Sequence, residues 1–145
     1  MKAFDPMTIL TARHAQHVVL VHFPIGAFIT AVGFDYAAHW TKQQALAAAA
    51  YLNLLVAAAS TVPVIGTGLV AWQWALEGQS LKGVLLVHLA LGIASSALIG
   101  VSWWIHWRQR RRRAVLPLYR LPVEAIGVTI VALTAHLGGV LAGIS

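Results

Sequence analysis

Four stretches of the chain are apolar for about twenty residues or more, each separated from the next by a short polar turn. They run from about His17 to Ala38, Gln44 to Val70, Lys82 to Trp107 and Leu121 to Ile144. Each is close to the roughly 20 residues a helix needs to cross about 30 Å of hydrocarbon. None alternates with period two, which excludes the strands of a membrane barrel. Helices are then the one remaining way to satisfy every backbone group in lipid. The connections HWTKQQ, LEGQS and an arginine-rich loop are short, so sequential helices are antiparallel neighbours. The pattern predicts an all-α, integral membrane, up-and-down four-helix bundle, with residues 1–145 as a single domain.

Composition agrees with that class. Of 145 residues, 59% are hydrophobic and the mean hydropathy is +0.77, against roughly 45–50% apolar residues in a soluble domain. The opening MKAFDPMTILTARHAQ has no small-residue cleavage site after a short apolar core, so no secretory signal peptide is expected. With no cysteine, disulfides, thiolate metal sites and covalent c-type haem attachment are excluded. Ligand chemistry falls to His, Asp, Glu and the backbone.

The net charge of +6 does not point to nucleic acid, because the cations are clustered rather than spread over a face. Arg108, Arg110, Arg111, Arg112 and Arg113 follow Trp103, Trp104 and Trp107 directly. Such a block orients a membrane protein and meets anionic headgroups. One side of the predicted topology carries Lys42, these five arginines and Arg120; the other carries Lys2, Arg13 and Lys82. The heavier side is expected in the cytoplasm. Both termini and the loop with Glu77 then face the periplasm of a bacterial inner membrane. The tryptophans, Trp72 and Trp74 at one interface and Trp40, Trp103, Trp104 and Trp107 at the other, fit aromatic belts.

Within this frame the histidines carry the candidate chemistry. His22, His88 and His136 each lie inside a different apolar span, where an imidazole costs a few kcal/mol unless it finds a partner. Counted from the span ends, all three fall roughly 7 to 12 Å from the outer surface, with His17 nearer that surface. His39 and His106 are expected at the cytoplasmic interface as amphipathic side chains, and His14 outside the bilayer. His22 shares a helical face with Gly26, Ile29 or Thr30, and Gly33. His88 shares one with Gly92, Ser95 and Ser96, and His136 one with Thr129, Ala132, Gly139 and Gly143. Small residues there let helices approach or leave room for a flat group.

Imidazoles from separate helices in a dry bundle suit haem b, which takes two neutral histidines on opposite faces of the iron. Its propionates would reach water, Arg13 or Lys82. A zinc or copper ion held by His22, His88 and His136 is the alternative. Asp35 and Glu124 fall towards the cytoplasmic ends of their spans, so no carboxylate shares the histidine layer, and hydrolytic chemistry has no evident general base. Interhelical hydrogen bonding is the purely structural reading.

The stretch HVVLVHFPIGAFITAVGFD, from His17 to Asp35, resembles the HPxxVHFPI opening of a bacterial membrane-protein family, domain of unknown function 2231. Val18 stands where that pattern has proline. The likeness continues through GTGLVAWQW at Gly66 to Trp74, through VHLALG around His88, and through TAHLGGVLAGIS from Thr134. Relatives fused to cytochrome c or found beside redox proteins make electron transfer the implied role. The expectation is a small b-type cytochrome, not a stand-alone enzyme. It would relay electrons between a periplasmic redox partner and the quinone pool or a larger membrane complex. His22 and His88, which match the family pattern and lie on glycine-bearing faces with Gly26 and Gly92, are the expected axial pair; His136 is a supporting or substitute ligand and His17 a further candidate. A cofactor-free accessory or assembly subunit and a metal-ion binding or transport protein are the alternatives. Lipids are expected partners, nucleic acid is not, and a homo-oligomer is left open.

Overall fold

A computed structural model describes residues 13–74 and 80–141. Expectations for Lys2, Glu77 and Gly143, and for the side chains of Arg13, His14 and Trp74, lie outside the described part. Among the described residues five helices follow one another: α1 (Arg13–Leu20), α2 (His22–Thr41), α3 (Gln44–Trp74), α4 (Gly83–Arg112) and α5 (Arg120–Leu141). No strand occurs among the described residues.

The break between α1 and α2 is local. Pro24 has no N–H to give the Leu20 carbonyl, so the helix loses a rung there. The flanking bonds persist, Val21 N–H to the His17 carbonyl at 3.0 Å and Ile25 N–H to the Val21 carbonyl at 3.4 Å. The two segments make one candidate membrane span, Gln16–Thr41; the others are Gln44–Gln73, Gly83–Arg112 and Arg120–Leu141. Their outward faces are apolar, as Leu52, Val62, Ile65 and Ile93 illustrate, because lipid rather than water surrounds them.

The arginine run differs from the expected loop. α4 continues through Arg112 and ends at Arg113, which takes a left-handed conformation (φ 49°) with its N–H returned to Arg110 and Gln109. Arginine is a good helix former, and its charge is favourable near the C-terminal end of the helix dipole. The cations also cover the aromatic belt: Arg108 lies over Trp104 at 5.1 Å, Arg111 over Trp107 at 5.2 Å and Arg110 over Tyr51 at 4.4 Å.

α1 and α2 pack chiefly on α3, and α4 chiefly on α5. The resulting hairpins repeat one design. On the first helix of each, His17, Pro24, Phe28, Ala31 and Asp35 match His88, Ser95, Ile99, Ser102 and His106, each pair 71 residues apart. On the second, Ala50, Leu54, Ala57 and Gly68 match Arg120, Glu124, Gly127 and Gly138, each 70 apart. Apart from His17, His88, Gly68 and Gly138, which are half-buried, all these positions are buried.

The apolar core, Phe28, Ala31, Val32, Leu54, Ala57, Ile99 and Val131, lies in the middle of the bundle. Gly127 lets α5 approach there, since a Cβ on it would stand 2.8 Å from Phe28 Cζ. Towards the end of the bundle that holds Gln16 and Leu141, no described side chain beyond Pro24, Ser95 and Val131 is buried except Ala71. Among the described residues the helices are closely packed at the arginine end and more open at the other.

Candidate functional site

Two groups of polar side chains lie at opposite ends of the bundle. At the open end, His17 and His88 occupy matching places in the two hairpins. Both rings rest against a glycine of the helix that closes their own hairpin, α3 for His17 and α5 for His88: a Cβ on Gly68 would stand 3.0 Å from His17 Cε1, and one on Gly138 3.2 Å from His88 Cε1. Both rings are held at Nδ1. His88 Nδ1 donates to the Thr134 carbonyl at 3.1 Å. His17 Nδ1 donates to Thr67 Oγ1 at 3.2 Å, whose own proton is committed to the Pro63 or Val64 carbonyl. A proton on Nδ1 makes Nε2 the basic nitrogen of a neutral ring. Ser95 completes the support, donating to Thr134 Oγ1 at 2.9 Å while that hydroxyl donates to Ile130.

The other expected ligands are placed differently. His22 is exposed on the outer surface, its Nδ1 donating to Val18 of the preceding turn at 2.7 Å. Gly26, Ile29, Thr30 and Gly33 are exposed with it; the expectation that this is a packing face is corrected. Five residues separate His22 from His17, about 140° around a helix, so the inward position belongs to His17. His136 is also exposed, on the side of α5 away from Gly138. Gly92 does face inward, 4.0 Å from Thr134 Cγ2 by its would-be Cβ.

At the arginine end four ionisable side chains meet. Asp35 of α2, His106 of α4, and Arg120 and Glu124 of α5 are 1%, 2%, 4% and 1% exposed. Arg120 Nε donates to Asp35 Oδ2 at 2.6 Å, and its Nη1 to the Pro117 carbonyl at 3.2 Å. His106 Nε2 donates to Glu124 Oε1 at 3.1 Å and stands 3.9 Å from Asp35 Oδ2. Asp35 Oδ1 and Glu124 Oε2 are buried with no hydrogen-bond partner. The expectation that His106 is an interfacial side chain is thereby corrected. It faces the bundle centre because a carboxylate waits there, whereas His39 is half-buried outside this cluster.

The spacing held a signal for both groups. From His17 the positions 21, 24, 28, 31 and 35 advance by four and three residues, and from His88 the positions 92, 95, 99, 102 and 106 do the same. Eighteen residues is five turns, so His17 shares a stripe with Asp35 and His88 with His106. Comparing the two stripes identifies His17 rather than His22 as the partner of His88 in register.

A family model described as "Predicted membrane protein (DUF2231)" matches residues 13–143, nearly the whole chain. The protein belongs to that family. Neither the curated proteins nor the solved structures provide a match.

Proposed function

We propose that this member of the DUF2231 family is a small b-type cytochrome, binding one haem at the open end of its bundle through His17 and His88. The observation that carries this reading is the equivalence of the two rings. Asp35 and His106, five turns further along the same two stripes, come within 3.9 Å of each other, so this face of both helices looks across the centre of the bundle. His17 and His88 lie on the same face five turns away. His17 and His88 would hold a haem as a matching pair of imidazoles, one from each hairpin. The Nδ1 bonds to Thr67 and Thr134 support it further, since a ring nitrogen held by an oxygen fixes the orientation and raises the basicity of the other. Gly68 and Gly138 keep bulk away from the rings, and the helices around them bury almost nothing of their own.

With its termini in the periplasm, the haem lies near the outer face. It relays electrons between a periplasmic redox protein and the quinone pool or a larger membrane complex. Haem supplies the redox chemistry; the protein holds the iron and sets its surroundings.

The test is the visible spectrum of protein purified after expression with ample haem supply. Sharp α and β bands on reduction are expected, lost in His17→Ala or His88→Ala and kept in His22→Ala and His136→Ala. Folded, colourless wild-type protein refutes the cytochrome and favours an accessory subunit. Loss of the bands in His22→Ala with retention in His17→Ala keeps the haem and changes the ligand.

A further inference from the structure

We propose that Asp35, His106 and Glu124 form a binding site for one divalent transition-metal cation at the arginine end of the bundle. The site is separate from the haem reading: His88 and His106 lie on one continuous helix, about 27 Å apart at 1.5 Å per residue.

Geometry comes first. The three residues stand on three different helices, α2, α4 and α5, and each offers a ligand atom within 4.8 Å of the others. Among the described residues no other set of three His, Asp or Glu converges in this way. A cation at their centre would draw them in, because zinc bonds to nitrogen and carboxylate oxygen are about 2.0–2.2 Å long. One imidazole with two carboxylates is a donor set that zinc, iron and manganese accept.

The unpaired oxygens supply a second, independent reason. Asp35 Oδ1 and Glu124 Oε2 are buried and accept no hydrogen bond, and groups left so are uncommon unless an ion or water completes them. The His106 bond to Glu124 Oε1 and the Arg120 bond to Asp35 Oδ2 leave both other oxygens as they are. A metal ion reaches both carboxylates at once.

Charge gives the same answer. Arg120 balances one carboxylate through its 2.6 Å bond to Asp35 Oδ2, and the second, Glu124, has no Lys or Arg partner among the described residues inside an apolar bundle. Such a charge is retained only when paired. Arg120 then becomes the outer partner that orients the Asp35 ligand, as metal-binding carboxylates are commonly oriented.

The experiment uses the full chain without a histidine tag, purified in detergent, stripped with a chelator and dialysed against Zn2+ or Co2+. One tightly held equivalent per chain is expected, with Co2+ giving visible ligand-field bands. Glu124→Gln and His106→Ala should weaken binding by more than the roughly 10- to 100-fold that loss of an outer partner costs, and His88→Ala should leave it unchanged. Where a ligand variant does not fold, the wild-type protein decides: Zn2+ must raise its melting temperature at equimolar concentration. No uptake and no shift overturn the proposal and make the cluster a protonated ion-pair network. Uptake abolished by His88→Ala instead places the metal at the other end. The haem spectrum is recorded on the same samples, so its absence would remove the cytochrome reading without touching this one.

Discussion

Asp35 and His106 hold the same place in two successive helical hairpins, and their side chains come within 3.9 Å of each other. The repeat thus sets an acid against a base at the centre of a membrane bundle. The second helices complete the balance asymmetrically. Where the first hairpin has Ala50 and Leu54, the second has Arg120 and Glu124. One hairpin supplies one ionisable group to the cluster and the other supplies three.

Removing Arg120 therefore takes from Asp35 Oδ2 its 2.6 Å donor inside the bundle. Arg120→Ala is expected to cost about 3–5 kcal/mol, the range for breaking a buried pair from one side. Replacing both members by neutral groups, Asp35→Asn with Arg120→Gln, should recover part of that loss. Unfolding in mixed micelles at fixed detergent composition measures both, and equal losses in the single and double variants would show that the pair is not the cause.

His39 and His106 look alike in the sequence, each directly before a tryptophan near a helix end, but they should respond differently. His106→Ala removes the donor to Glu124 and should destabilise by about 1–3 kcal/mol, whereas His39→Ala should fall within about 0.5 kcal/mol of wild type. Similar melting curves for the two variants would contradict the buried placement of His106.

Glycine positions separate packing from ligand support. Gly127→Ala places a methyl 2.8 Å from Phe28 Cζ, and Phe28 is fully buried, so overpacking should cost about 1–3 kcal/mol. Gly138→Ala presses on the His88 ring at 3.2 Å and should shift the haem spectrum with little change in stability. Gly26→Ala meets nothing within 4 Å and should alter neither. A normal spectrum in Gly138→Ala would count against His88 as an axial ligand.

Membrane orientation rests on the arginine block. A reporter active only in the periplasm should be active when fused to the C-terminus, since seven of the ten Lys and Arg lie on the opposite side. An inactive reporter on stably inserted protein would place His17 and His88 on the cytoplasmic side and change the expected redox partner.

What the sequence by itself determined is the class and the order of elements. Four apolar stretches of spanning length, without period-two alternation, admit helices alone, and the short turns between them make neighbours antiparallel. Lipid enforces this whatever the details of packing, which is why the spans are legible before any contact is known. The faces were harder to read. A spanning helix is apolar on its lipid side as well as its buried side, so hydrophobicity no longer distinguishes inside from outside, and glycines beside His22 look like a packing face although they point outward. Register along the inner stripe, 17 to 35 and 88 to 106, carries the information instead, and it emerges once the two hairpins are superposed. The charged cluster was the tertiary structure's to decide. Asp35, His106, Glu124 and Arg120 come from three helices and each sits near a span end, where a polar residue ordinarily reaches water. Only the crossing of α2, α4 and α5 turns them towards one another, because a buried charge is tolerated where its partners converge.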